Sequence, residues 1–232
     1  MIRAAGIQKT FMKGKTAIPV LRGVDLTIMA GEMVAITGAS GVGKSTLLHV
    51  LGTLEPPTRG EVFFGDQPKN LFSLSEKELA EFRNRSLGFI FQFHYLLPEF
   101  SALENVMMPA LIAGYGRPMA SKQAKELLEF VGLGHRLNHR PAELSGGEQQ
   151  RVAVARAVIL RPKLILADEL TGNLDSENSL NVMNLLTELN RATGISILLV
   201  THDQNLAQKM QRVLVMKDGL ILSDLKSDSK PL

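Results

Sequence analysis

Hydrophobic residues along this chain change their spacing again and again. Three stretches are nearly continuous: Met33-Val34-Ala35-Ile36-Thr37, Leu164-Ile165-Leu166-Ala167 and Ser196-Ile197-Leu198-Leu199-Val200-Thr201. Such runs suit strands of a parallel sheet covered on both faces. Elsewhere the spacing is helical. Val182, Leu185, Leu186 and Leu189 fall at i, i+3, i+4 and i+7, one apolar face of a helix. Ala124, Leu127, Leu128 and Val131 repeat that spacing, and Ser45 to Leu51 and Glu148 to Leu160 favour helix. Val213 to Met216 and Leu220 to Leu222 flank Lys217-Asp218-Gly219, which predicts a hairpin with an Asp-Gly turn. Arg3 to Ile28 reads as β structure, an antiparallel edge. Strand signals vanish from about residue 93 to residue 143, which predicts a helical insertion. The alternation places the chain in the α/β class with a mostly parallel sheet. One domain is expected over residues 1–232, ending in a polar tail from Ser223 to Leu232 that should fray.

Composition narrows the partners. The chain has 232 residues with 45% hydrophobic content, enough for a large core. A formal charge of +3 does not require a nucleic-acid partner, and no direct one is expected. Cysteine is absent, so no disulfide can form. Met1 to Gly6 leads into no apolar signal segment, and no run of 18 apolar residues exists. A role at a membrane is therefore expected to run through a partner.

The first chemical motif is Gly38-Ala39-Ser40-Gly41-Val42-Gly43-Lys44-Ser45, followed by Thr46. It reads G-x-x-x-x-G-K-S, a phosphate-binding loop between a predicted strand and a predicted helix. Glycines let backbone N–H groups converge on phosphate oxygens, and the helix adds the positive end of its dipole. Lys44 is expected to reach the β- and γ-phosphates, and the Ser45 hydroxyl to bind Mg²⁺. These residues predict a P-loop NTPase using a nucleoside triphosphate and Mg²⁺.

A second motif ends the strand Leu164 to Ala167 with two acids, Asp168 and Glu169. Ligands of open α/β sheets bind beyond the carboxyl ends of the strands. Asp168 is expected to hold Mg²⁺, through water, and Glu169 to polarise the attacking water. A third motif, Leu144-Ser145-Gly146-Gly147-Glu148-Gln149-Gln150, precedes a helical stretch. Loop N–H groups and a helix N-terminus there make a second anion site.

Together these motifs resemble the nucleotide-binding subunits of ABC transporters over nearly the whole chain. The resemblance implies further roles. Gln92 matches the Q-loop glutamine, near the metal and the attacking water. Gly172-Asn173-Leu174-Asp175 matches the D-loop, and Thr201-His202-Asp203 carries the switch histidine that contacts the γ-phosphate. Phe11 stands where an adenine-stacking aromatic is expected, often Tyr in relatives; phenylalanine still stacks but lacks the hydroxyl. Ser145, Gly146, Gly147 and Glu148 would bind ATP held by a second copy, which implies a homodimer closing on two ATP. One position departs from the pattern: Leu170 follows Asp168-Glu169 where the family usually has Pro, which puts dimer-closing geometry and rate in question.

The segment Phe91-Gln92-Phe93-His94-Tyr95-Leu96-Leu97-Pro98-Glu99-Phe100-Ser101-Ala102-Leu103-Glu104-Asn105-Val106 is similar to lipoprotein-release (Lol-type) ATPase subunits. Asn138-His139-Arg140-Pro141 leading into the third motif is similar too. That resemblance implies integral inner-membrane permease partners, a peripheral place on the cytoplasmic face, and a lipoprotein cargo this chain does not touch. Macrolide-efflux and cell-division relatives share Thr171-Gly172-Asn173-Leu174-Asp175, so those complexes are the alternative. The aromatic and aliphatic residues after Gln92 are expected either to pack in the helical insertion or to form the groove where the permease docks. A soluble ABC ATPase working on nucleic acid would carry tandem units or long heptads, and this chain has neither. A switch that does not hydrolyse would not need Glu169, Gln92 and His202.

Overall fold

The computed structural model describes residues 1–65, 69–170 and 176–226, with the side chains of residues 176–178 left aside. Its contacts divide the chain into two compact units, Met1–Ala80 with Ser196–Leu232, and Glu81–Ile195.

In the first unit, β1 (Ile2–Lys13) lies between β2 (Thr16–Ile28) and β4 (Arg59–Phe64), antiparallel to both. The expected antiparallel N-terminal segment is thus a hairpin, with Lys9 opposite Leu21 and Phe11 opposite Ile18. β3 (Met33–Thr37) runs parallel to β7 (Ser196–Val200) on one side and β8 (Arg212–Lys217) on the other. All five residues of β3 and all five of β7 are buried, which is why both read as nearly continuous apolar runs. The helix α1 (Lys44–Leu51) leaves β3 through the glycine loop, and the short α7 (Gln204–Ala207) follows β7.

β9 (Leu220–Lys226) returns antiparallel to β8. The turn residues Asp218 and Gly219 have φ of 49° and 77°, both left-handed, as a two-residue hairpin loop matched to strand twist requires. The strand continues past Ser223, where polarity alone predicts fraying. Arg212 explains this: Nε and Nη2 donate to the two carboxylate oxygens of Asp224, each at 2.6 Å. Its Nη1 donates to the Thr27 carbonyl at 2.8 Å and to Glu32 Oε1 at 3.1 Å. A bidentate guanidinium thus holds a polar strand that hydrophobicity could not.

In the second unit, β5 (Leu87–Ile90) pairs in parallel with β6 (Leu164–Asp168), Ile90 opposite Ala167. Residues 93–143 contain α3 (Ala102–Ile112) and α4 (Arg117–Phe130) and no strand. These helices pack with α5 (Gly146–Val158) around Val106, Ala110, Ala124, Leu128, Val152 and Ala155. Small residues at the contact let the helix axes come close. α3 opens with a capping box, Ser101 Oγ accepting from Glu104 N and Glu104 Oε2 from Ser101 N. Such a cap is worth about 1 kcal/mol. The end of α5 lies hard on β5: a Cβ at Gly88 would stand 2.6 Å from the Ala157 carbonyl oxygen. α6 (Ser176–Thr193) turns Val182, Met183, Leu186 and Leu189 inward, and α2 (Glu76–Ser86) spans the sequence boundary between the units.

Candidate nucleotide site

The glycine loop is shaped by packing as much as by backbone freedom. Gly38 has φ of 147°, and a Cβ there would run into the Met216 carbonyl. Gly43 has φ of 105°, and its Cβ would press on Leu21 Cδ2 at 3.0 Å and Val20 Cγ1 at 3.1 Å. Gly41, φ 79°, faces open space with nothing within 4 Å.

Lys44 is 5% exposed, yet its ammonium is at the loop: Nζ donates to the Gly38 and Ala39 carbonyls, each at 3.0 Å. α1 begins at Lys44 with Gly43 as N-cap, no side-chain cap and no acid in its first turn. The start of the helix presents the positive end of its dipole, which favours an anion. A glycine loop, a cation held at it and a helix start with no side-chain cap fit a polyphosphate. Ser45 and Thr46 lie half-buried in the first turn.

His202 is brought to the same edge. Ile36 pairs with Val200, and Thr201 N donates to the Ile36 carbonyl at 3.1 Å. The chain leaving β3 as the loop and the chain leaving β7 toward His202 thus depart side by side. Asp203 N donates to Thr201 Oγ1 at 3.0 Å, and Asp203 caps α7 through Asn205 N at 2.8 Å. This local clamp presents His202 on an exposed tip. Phe11 is 38% exposed on β1, near the end of the hairpin.

The second unit makes its own cluster by register. Because Ile90 pairs with Ala167, Phe91-Gln92 and Asp168-Glu169 leave neighbouring parallel strands at one edge. Gln92, Asp168 and Glu169 are all half-buried. Glu169 has φ of 45°, left-handed for a residue with a side chain. That conformation costs about 1–3 kcal/mol and is characteristic of functional turns. Leu170 after it is 2% exposed and so anchors the turn from beneath. Leu170→Pro would remove that anchor, and proline would push Glu169 toward extended backbone. We expect a changed turnover or ATP-dependent dimer population at nearly unchanged ATP affinity; both within error of wild type would make this position neutral. Thr171 to Asp175, with the D-loop aspartate, lie outside the described residues.

The third motif heads α5. Ser145 is the N-cap, Ser145 and Gly146 are exposed, and Gly147 is buried. Glu148 has local work: Oε2 accepts from Ser145 N at 2.8 Å, and Arg136 Nε donates to Oε1 at 3.2 Å. The Ser145 N–H, then its hydroxyl and Arg136, hold the Glu148 carboxyl below the usual range, against a smaller opposing effect of burial. The geometry gives Glu148 the task of shaping the cap.

Two residues that sequence reasoning did not single out hold the segment after Gln92. Arg156, on α5, donates from Nη1 to the Tyr95 carbonyl and from Nη2 to the His94 carbonyl, both at 2.7 Å. Asn105, fully buried on α3, accepts from Leu97 N at 2.8 Å and donates to the Leu97 carbonyl at 3.1 Å and the Phe100 carbonyl at 3.0 Å. Bound at both ends, the segment leaves Phe93 61% and Tyr95 66% exposed, while Leu96 packs on the helical core. Side chain to backbone contacts of this kind leave no trace in hydrophobic spacing.

The model of the ABC transporter family matches residues 21–172. The chain is 54% identical over 223 residues to the lipoprotein-releasing system ATP-binding protein LolD of Syntrophus aciditrophicus (strain SB), covering 96% of this chain and 99% of that one. It is 53% identical to LolD of Geobacter metallireducens, covering 97% and 99%. Among solved structures it is similar to a dimeric ATP-binding cassette in a post-hydrolysis state bound to ADP and Pi. That likeness has a TM-score of 0.90 at 40% identity and covers 99% of this chain and 100% of that one. Loop, acids and signature therefore stand in a matched frame: the chain belongs to the ABC transporter family, as one of its ATP-binding cassettes.

Proposed function

We propose that this ATPase drives release of lipoproteins from the inner membrane through membrane-spanning permease subunits. The observation that carries the reading is 54% identity to a lipoprotein-releasing ATP-binding protein over 96% of the chain. Both units serve as one nucleotide-binding domain. Among the described residues no helix is long and apolar enough to cross a membrane. In this reading the permease supplies the crossing, and this chain sits peripherally on the cytoplasmic face.

In this reading the Gly38–Thr46 loop and Lys44 bind the β- and γ-phosphates, and Phe11 stacks on the adenine. Ser45, Gln92 and Asp168 would hold Mg²⁺, which would neutralise charge on the phosphate oxygens. Their hydroxyl, amide and carboxylate oxygens are the hard donors that ion prefers. Glu169 takes a proton from the attacking water, Gln92 orients that water, and His202 contacts the γ-phosphate. Ser145, Gly146 and Gly147 of a second copy close the site, Glu148 shapes that loop through the cap, and Asp175 lies at the junction. The dimeric cassettes among similar structures support this closure.

The permease is expected to dock on the exposed aromatics after Gln92, a patch of the kind that marks protein contacts. Tyr95 is 66% and Leu97 40% exposed, so truncating them removes little core. Tyr95→Ala with Leu97→Ala should leave basal ATP hydrolysis largely intact and abolish co-purification with the permease. Assembly and transport by the double variant would put docking elsewhere. The function itself is tested in liposomes containing the permease and an acylated lipoprotein. Release of that lipoprotein only with hydrolysable ATP is expected; hydrolysis with no release would overturn the reading.

A further inference from the structure

The strap that follows α1 is knitted to β1 immediately before Phe11. Thr58 N donates to the Gln8 carbonyl at 2.8 Å, and Thr10 N donates to Thr58 Oγ1 at 3.0 Å. Between these two bonds Lys9 reaches across. Its ammonium pairs with the Glu55 carboxylate and donates to the Pro56 carbonyl at 2.6 Å. Lys9 is 8% exposed, unusual for a lysine, and its charge is matched by these partners. The same nitrogen stands 5.0 Å from the centre of the Phe11 ring. Residues two apart on a strand share a face, so Lys9 and Phe11 lie together by construction.

The other strand ties this pair to the glycine loop. Lys9 pairs with Leu21, and Leu21 is the residue against which a Cβ on Gly43 would press. Phe11 lies two residues beyond Lys9, about 7 Å along β1. The strap itself leaves the loop's own helix, which ends at Leu51. Lys9 therefore stands opposite the strand that abuts the loop, and its ammonium joins the strap after the loop's helix to the aromatic ring. A phenylalanine ring lacks the hydroxyl by which a tyrosine would be held. A desolvated cation over one face is an alternative way to fix it.

We infer that Lys9, set by Glu55, is a positioning residue for the nucleobase: it holds the Phe11 ring so that its other face receives the base. The inference rests on the reading of Phe11 as the adenine platform. A brace of this kind affects ligands that carry a base and leaves the phosphates to the loop.

The test compares ATP with inorganic tripolyphosphate by calorimetry on the full chain. Lys9→Met should weaken ATP by roughly 3- to 30-fold, the range of a partly to fully desolvated cation–π contact. Tripolyphosphate affinity should stay within about twofold. Lys9→Arg, which keeps a cation at the ring, should recover part of the loss, and Glu55→Gln should show a smaller loss with the same selectivity. On a Phe11→Ala background, Lys9→Met should have no further effect on the ratio of the two affinities. If Phe11→Ala changes that ratio and Lys9→Met and Glu55→Gln do not, the inference is overturned and the Phe11 reading stands. If Phe11→Ala leaves the ratio unchanged, the platform reading itself fails. Equal weakening of both ligands by Lys9→Met and Glu55→Gln, with a lower melting temperature, would make the brace structural only.

Discussion

Glu169→Gln is expected to bind ATP nearly as wild type does and to lose roughly 10²- to 10⁴-fold in turnover. The apolar run of β6 ends at Asp168. Register with β5 sets Glu169 at the edge from which Gln92 also departs. Its left-handed backbone turns the chain sharply, and buried Leu170 holds the turn. Glutamine keeps the size and hydrogen-bonding reach of glutamate and so should keep the turn. It cannot accept a proton from water, and only that step is removed. Phosphate release over time measures the loss, and nucleotide titration measures binding. Near-wild-type phosphate release would take Glu169 out of the role of base. Loss of ATP binding would place it instead in the ground-state contacts.

The chemistry of this chain was more legible than its packing. Continuous apolar runs announced β3, β6 and β7 because these strands are buried on both faces. The Asp218-Gly219 pair announced its hairpin because few other residues take φ of 49° and 77° in succession. β5 was not announced. Gly88 weakens its strand signal, yet glycine is needed there for the close approach of the Ala157 carbonyl. β4 was missed for a similar reason: Gly60 lies against the Ala5 and Gly6 carbonyls, and Arg59 and Glu61 face solvent.

Among candidate site residues, the motifs single out the loop, the acids and His202, but not which edge each strand gives them. Register does that, and register is tertiary. Ser145-Gly146-Gly147-Glu148 also reads S-x-x-E, the capping-box pattern, so the local role of Glu148 was written in the sequence beside the nucleotide reading. Arg156 carried no such mark. Its value lies in two carbonyls more than sixty residues away, at His94 and Tyr95.

Arg156 also bears on how the signature works. It grips the Gln92 segment near the C-terminal end of α5, while Ser145 caps the other end. Eleven helical rises separate them, about 16 Å along the axis. The signature is thus held well away from the Gln92 segment of its own chain and is free to face another. Ser145→Arg fills the exposed cap with a long cation, and Lys44→Ala removes the ammonium held at the loop. Each variant alone is expected near background, because every composite site lacks one half. Mixed in equal amounts, they should recover activity. Random pairing makes half the dimers mixed, and each mixed dimer pairs one intact loop with one intact signature, so about a quarter of the wild-type rate is expected if the two sites act independently. A rate well below that figure but above both parents would mean the sites work in concert. No recovery, with mixed dimers demonstrated by mass, would mean that loop and signature act within one chain. Full activity of Ser145→Arg alone would remove the signature from catalysis. Sedimentation of Glu169→Gln with ATP supplies the physical counterpart: a dimer is expected, and a strict monomer at high concentration would count against closure.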